Sequence, residues 1–204
     1  MPRLACPEEA HATLHVVQRA RERRACFSCA RDRAAYLDAL RECAAFAECA
    51  VHAYALMGNH VHLLLTSARA NGAARLMPAL AAGYARYLAA AYGHRDPVWE
   101  EAYDASPVHP RKHLLACMRY IEENPVRAGL VAHPGGYPWS SYRANALGED
   151  DALLTPHPHY CSLGRSPDER CAAYAALFAR AGEGLIPVSR RRSGSLYPRA
   201  RSRS

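Results

Sequence analysis

Lysine is nearly absent from this 204-residue chain: of its 26 Lys and Arg residues, only Lys112 is a lysine. Phe and Trp are also scarce, at three and two residues, although Tyr contributes 12. No run of about 20 strongly apolar residues exists. The best window, Leu76 to Tyr92, is Ala-rich and interrupted by Pro78 and Arg86, which excludes a membrane-spanning helix. Residues Met1 to Leu14 hold no continuous apolar segment of the kind a secretory signal needs. A cytoplasmic protein with reduced thiols is therefore expected. The eight Cys lack zinc-ribbon spacing, since Cys26 and Cys29 form a C-x-x-C without a second pair. Free thiols are the expectation, with a zinc site as the alternative.

What is present suffices for a core, because 50% of the residues are hydrophobic. The formal net charge of +7 is concentrated late in the chain. After Glu183 come Arg190, Arg191, Arg192, Arg199, Arg201 and Arg203 with no acidic residue. That tail is expected to be a disordered arm for nucleic acid or another polyanion, or simply a solubilising extension.

Periodicity organises the remainder. Ala12 to Ala20 alternates as a strand, with Leu14 and Val16 on one face and His15 and Val17 on the other. Arg31 to Glu48 has helical spacing. Val51 to Met57 and Val61 to Thr66 read as strands joined by the hairpin signal Gly58-Asn59. Arg75 to Tyr92 is a second helix, Pro97 to Pro107 a candidate strand, Pro110 to Glu123 a third helix, and Ser166 to Ala181 a short fourth. The order predicts an α+β fold: a ferredoxin-like antiparallel sheet with helices packed on it, followed by a C-terminal extension of helix and loop.

His60-Val61-His62 is the sharpest chemical feature. Residues i and i+2 of a strand point to one face with Cα atoms about 6.5–7 Å apart, so both imidazoles can converge on a cation. A two-residue turn at Gly58-Asn59 places His62 opposite the small Ala55, leaving room above the rings. His157-Pro158-His159 has the same spacing, but its prolines argue for a loop and a structural role. On the third helix, His113, Cys117, Tyr120 and Asn124 share a face away from Leu114, Met118 and Ile121. Tyr120 is then either an amphipathic residue at a packing boundary or a nucleophile, which a phenol becomes only when a metal, base or phosphate environment activates it. Asn124-Pro125 reads as an N-cap before a first-position proline, closed by Gly129. The amide of Asn124 can also supply an oxygen ligand one turn from Tyr120. Trp139 and Tyr142 are either core-edge residues or platforms for unpaired bases.

Taken together these stretches resemble the REP-associated tyrosine transposases, within the single-tyrosine nucleases that carry a His-hydrophobic-His motif. The matching segments are His15 to Arg19, His52 to Leu64, Tyr84 to Tyr87, Arg119 to Leu130, Tyr137 to Tyr142 and Leu154 to His157, collinear over residues 11 to 180. The resemblance implies an N-terminal arm at 1–10, a transposase-like catalytic domain at 11–131, a packed extension at 132–184 and the basic tail at 185–204. It implies a metal-dependent endonuclease and strand transferase acting on single-stranded DNA at hairpin-forming repeats, through a 5′-phosphotyrosine link. Carried over, Tyr120 is the nucleophile, and His60, His62 and Asn124 hold Mg²⁺ or Mn²⁺. Arg19, Arg23, Arg24, Arg86, Arg119 and Arg127 are the expected DNA contacts, and the chain acts as a monomer or homodimer. Two departures stand out: Glu100-Glu101-Ala102-Tyr103-Asp104 follows Trp99 where the family usually has basic residues, and Ala20 follows Arg19 where it usually has Gly. Acidic residues beside a phosphate path weaken DNA affinity. The alternatives are a hairpin-DNA-binding protein without turnover and a small metal-binding protein unrelated to DNA.

Overall fold

A computed structural model describes residues 9–94 and 96–179, apart from the side chains of 110–112. The Arg-rich tail, and the N-terminal arm up to residue 8, lie outside the described residues. Strand β1 (Thr13–Arg19) leads through a 3-10 turn to helix α1 (Ala30–Phe46), then to the hairpin β2 (Cys49–Leu56) and β3 (His60–Ser67). Helix α2 (Gly72–Tyr92), strand β4 (Asp104–Pro107) and helix α3 (Pro110–Arg127) follow. The chain continues with α4 (Tyr142–Leu147), α5 (Pro158–Cys161) and α6 (Pro167–Ala179). The sheet order is β2-β3-β1-β4 with every neighbouring pair antiparallel. Each of the two β-α-β crossovers thus leaves a slot that the other fills, which is the expected ferredoxin-like arrangement.

Alternation divides the sheet into two apolar faces. Leu14, Val16, Tyr54, Leu56, Val61, Leu63 and Leu65 pack against Tyr36 and Leu40 of α1 and Leu76, Leu80 and Tyr84 of α2. On the opposite face Ala53, Ala55, Met57 and Leu64 receive Leu114, Met118 and Ile121 of α3, joined by Tyr160 and Tyr174. The histidine-bearing face is therefore covered by α3 alone among the long helices.

Three expectations need correction. The strand expected over 97–107 shrinks to Asp104–Pro107. Trp99 keeps a single bridge to Ala20 and turns into the aromatic cluster of Phe27, Tyr36 and Tyr84. Asn124 does not cap a new helix, because α3 runs through Pro125 to Arg127. Pro125 has no N–H for the Ile121 carbonyl four residues back. The Asn124 amide turns inward and covers that end of the ladder, Nδ2 donating to Tyr120 O at 2.8 Å and Ile121 O at 3.4 Å. Gly129, with φ 70, then closes α3 as expected. Its N–H donates to Val126 O and that of Leu130 to Pro125 O, a Schellman ending. Finally, Tyr142 is only 2% exposed, wedged against Phe178 at 4.7 Å between ring centroids, and so presents no platform for a base.

Candidate active site

The β2–β3 hairpin places His60 and His62 on the face beneath α3, with ring centroids 4.9 Å apart. Ala55 stands opposite His62 on β2, and Val17 opposite it on β1. Asn59 at the turn accepts from His60: Oδ1 and Nδ1 are 2.7 Å apart, and an amide oxygen can only accept. The Asn59 orientation is fixed by Nδ2, which donates to Arg23 O at 3.4 Å. His60 therefore carries its proton on Nδ1 and its lone pair on Nε2. Burial lowers the pKa of His60, with Arg19 adding to the effect. Burial also holds His62 well below the usual imidazole value, with His15, His60 and Arg19 reinforcing it. Both rings are neutral at neutral pH, the form that ligates cations.

Helix α3 sets the phenol over these rings. Tyr120 is half-buried and meets His62 edge-on with ring centroids 5.9 Å apart. It meets His15 of β1 in the same way at 5.9 Å. The Arg127 guanidinium lies 5.2 Å from the Tyr120 ring centre and pairs with Glu123 at 3.0 Å. His15 completes the group, its Nε2 lying 2.9 Å from His62 Nδ1 with the two rings edge to edge, 5.2 Å between centroids and 17° between their planes. Burial pushes the His15 pKa down to about 4.

The rotation of α3 is held by a buried polar hub that sequence reasoning missed. Glu122, fully buried, accepts from Ser141 Oγ at 2.6 Å, Asn145 Nδ2 at 2.8 Å and Tyr174 Oη at 2.7 Å. These bonds tie the turn beside Tyr120 to α4 and α6. Arg119 adds another tie, donating to Leu177 O at 2.9 Å.

The donors present suit a cation of mixed ligation. Two neutral imidazoles stand on one face with ring centroids 4.9 Å apart, and Asn124, with Nδ2 bound to its own helix, has Oδ1 as its remaining polar atom. Among the described residues, no group of three or more His, Cys, Asp or Glu is placed to hold a metal. A closed zinc cage is not what these residues form, and two imidazoles completed by oxygen ligands fit Mn²⁺ or Mg²⁺ better. The C-x-x-C pair forms no zinc site either: Cys26 Sγ is buried 3.3 Å from Gly58 O, while Cys29 is exposed.

The arginines scatter. Arg19 lies across from His60 on the histidine face but is paired with Asp104 of β4 at 2.5 Å. Arg23 and Arg24 are exposed beside the hairpin, Arg24 pairing with Glu22 at 2.6 Å. Glu22 and Arg23 both hold positive φ, 54 and 56, an uncommon state for consecutive non-glycine residues. Arg86 sits on α2, across the sheet from Tyr120. His157 caps α5, its Nδ1 accepting from the His159 N–H at 3.1 Å, and packs on His52, in keeping with a structural role. Trp139 is part of the core edge, with Arg33 5.9 Å from its ring centre.

Residues 9–124 match the family model described as Transposase IS200 like. The chain belongs to this family. No curated protein matches this IS200-like transposase. Among solved structures, it is similar to a REP-associated tyrosine transposase bound to a REP hairpin. The TM-score is 0.62 and the identity 15%, over 77% of this chain and 93% of that one. The likeness establishes a shared fold. A candidate transposase from Deinococcus radiodurans R1 aligns at TM-score 0.43 with 22% identity, over 61% of this chain and 95% of that one. Among the described residues, no helix is long and apolar enough to cross a membrane.

Proposed function

We propose that this IS200-like transposase cleaves and rejoins single-stranded DNA beside a hairpin, with Tyr120 as nucleophile and a divalent cation, Mg²⁺ or Mn²⁺, held by His60, His62 and Asn124. The observation that carries this is the placement of the Tyr120 ring over His62, 5.9 Å between centroids, with both residues in one chain. The Tyr120 oxygen attacks the scissile phosphorus, and the phenol proton passes to solvent. The P–O3′ bond breaks, the 3′ oxygen takes up a proton, and the phosphate remains joined to Tyr120 on its 5′ side. Attack by the freed 3′-OH on that link reverses the step with no external energy source, because one phosphoester replaces another. The bound cation supplies charge neutralisation at the non-bridging oxygens. Asn59 orients the His60 ring, Arg127 backs the Tyr120 ring, and the Glu122 hub holds α3 in rotation. Arg19, Arg23 and Arg24 line the approach from the hairpin turn. Arg119 and Arg86 take no part, since one is spent on Leu177 and the other faces away. Nucleophile and imidazoles come from one chain, so a monomer suffices.

The Arg19–Asp104 pair favours a second reading, a hairpin-binding protein without turnover, because it removes a cation from the phosphate path. One assay separates the two. Hairpin oligonucleotide with a single-stranded flank is incubated with protein and Mn²⁺, then run under denaturing conditions. Native protein gives a covalent protein–DNA band and Tyr120→Phe gives none. Binding without a band in either protein favours the second reading.

A further inference from the structure

Two ring nitrogens of neighbouring histidines 2.9 Å apart must share one proton, and which ring owns it decides what the other can bind. Were the proton on His15 Nε2, His62 would accept it at Nδ1 and carry its own hydrogen on Nε2, which leaves the ring no lone pair for a cation. Were it on His62 Nδ1, the His62 Nε2 lone pair would be free. His60 already stands in the second state, because the Asn59 oxygen can only accept its Nδ1 proton. Converging on a single cation requires both rings in that state.

We infer that His15 is the positioning residue of this site: its Nε2 accepts the Nδ1 proton of His62 and so presents His62 Nε2 for ligation. Metal-bound histidines ordinarily donate their second N–H to a carboxylate, carbonyl or water; here a neutral imidazole from the adjacent strand serves. The β1–β3 register makes this possible. His15 lies opposite Leu64 and Val17 opposite His62, so the His15 ring reaches His62 diagonally across the pair. The ring of His15 lies edge to edge with that of His62, 5.2 Å between centroids, and meets the Tyr120 ring at 5.9 Å, so it touches both the proposed ligand and the proposed nucleophile. With Nε2 used as acceptor, His15 is not itself a ligand. That agrees with the absence, among the described residues, of a set of three or more His, Cys, Asp or Glu placed to hold a metal.

The inference rests on the cation reading above, and two variants test it separately. His15→Phe keeps a ring of similar bulk but removes the acceptor, whereas His15→Gln keeps an acceptor near the Nε2 position and removes the ring. Long-range ¹⁵N–¹H imidazole spectra of the metal-free protein report the His62 tautomer. The Nδ1–H form is expected in native protein and His15→Gln, and the Nε2–H form in His15→Phe. Titration with Mn²⁺ alone should show His15→Phe weakened by about 10–100-fold, with His15→Gln near native. A folded His15→Phe with native tautomer and native Mn²⁺ affinity overturns the inference. So does a His15→Gln as weak as His15→Phe, which would assign the role to the bulk of the ring. If native protein takes up no Mn²⁺, the cation reading fails, and the tautomer spectra alone decide the role of His15.

Discussion

Replacing Glu122 by Gln tests how the helix that carries Tyr120 is held, through pH. Burial raises the Glu122 pKa from 4.5 to about 7 despite hydrogen bonds from Ser141, Asn145 and Tyr174, which pull the other way. A carboxyl whose folded pKa is raised contributes fully below its unfolded value. It loses that contribution as pH rises towards the folded value. Ionising Glu122 thus costs about 3 kcal/mol of stability between pH 4.5 and 7, at about 1.4 kcal/mol per pKa unit. The histidines oppose this trend. Burial holds His15 and His157 near 4 and lowers His52, His60 and His62, so their contribution is lost as pH falls below their unfolded value of 6.5. The native profile alone therefore hides Glu122, and the difference between native and variant isolates it. Gln matches the protonated carboxyl in shape: its oxygen can accept from Ser141 and Asn145, and the Tyr174 hydroxyl can rotate to accept from its amide. Urea unfolding at intervals from pH 4.5 to 8 should show Glu122→Gln gaining on native by about 3 kcal/mol as pH rises. A difference that stays flat with pH would refute the argument and place the titration of Glu122 outside this range.

Asp104→Asn should release Arg19 and tighten single-stranded DNA binding several-fold at about 50 mM salt. It should also steepen the slope of log affinity against log salt by about 0.7, one further phosphate contact, as read by fluorescence anisotropy. An unchanged slope would show that Arg19 does not reach phosphate. Gly72→Ala should destabilise by roughly 1–3 kcal/mol or more in thermal melts, as overpacking does. The added Cβ would lie 1.9 Å from Ser67 Oγ and 2.2 Å from Ser67 Cβ. Native stability in that variant would mean α2 begins elsewhere.

Local pattern carried the reading of the sheet and of the first two helices, because alternation and helical spacing are set by residues a few positions apart. It also put His60 and His62 on one face, with His62 opposite Ala55. What escaped it depends on distant pairing. His15 meets His62 across 47 residues, a contact visible only once β1 is known to lie beside β3. The outward alternation of His15 was the available signal. Glu122 sits beside Glu123 and reads as a solvated acid, and its partners lie 19, 23 and 52 residues away. Asn124-Pro125 misled for a different reason. Local rules favour a helix start there, yet packing of Ile121 and Glu122 carries α3 onward while the Asn124 side chain mends the gap in the ladder.

The polar hub bears on how much chain a minimal enzyme must retain. The family match stops at residue 124, whereas every donor to Glu122 comes from residue 141 onward, as does the carbonyl that Arg119 grasps. A fragment cut at the family's edge would take from Glu122 all three of its donors and leave the helix of Tyr120 held by its packing on the sheet alone. The segment after α3 is in that sense the rear bearing of Tyr120, and a graft of the short domain onto another scaffold must bring it along.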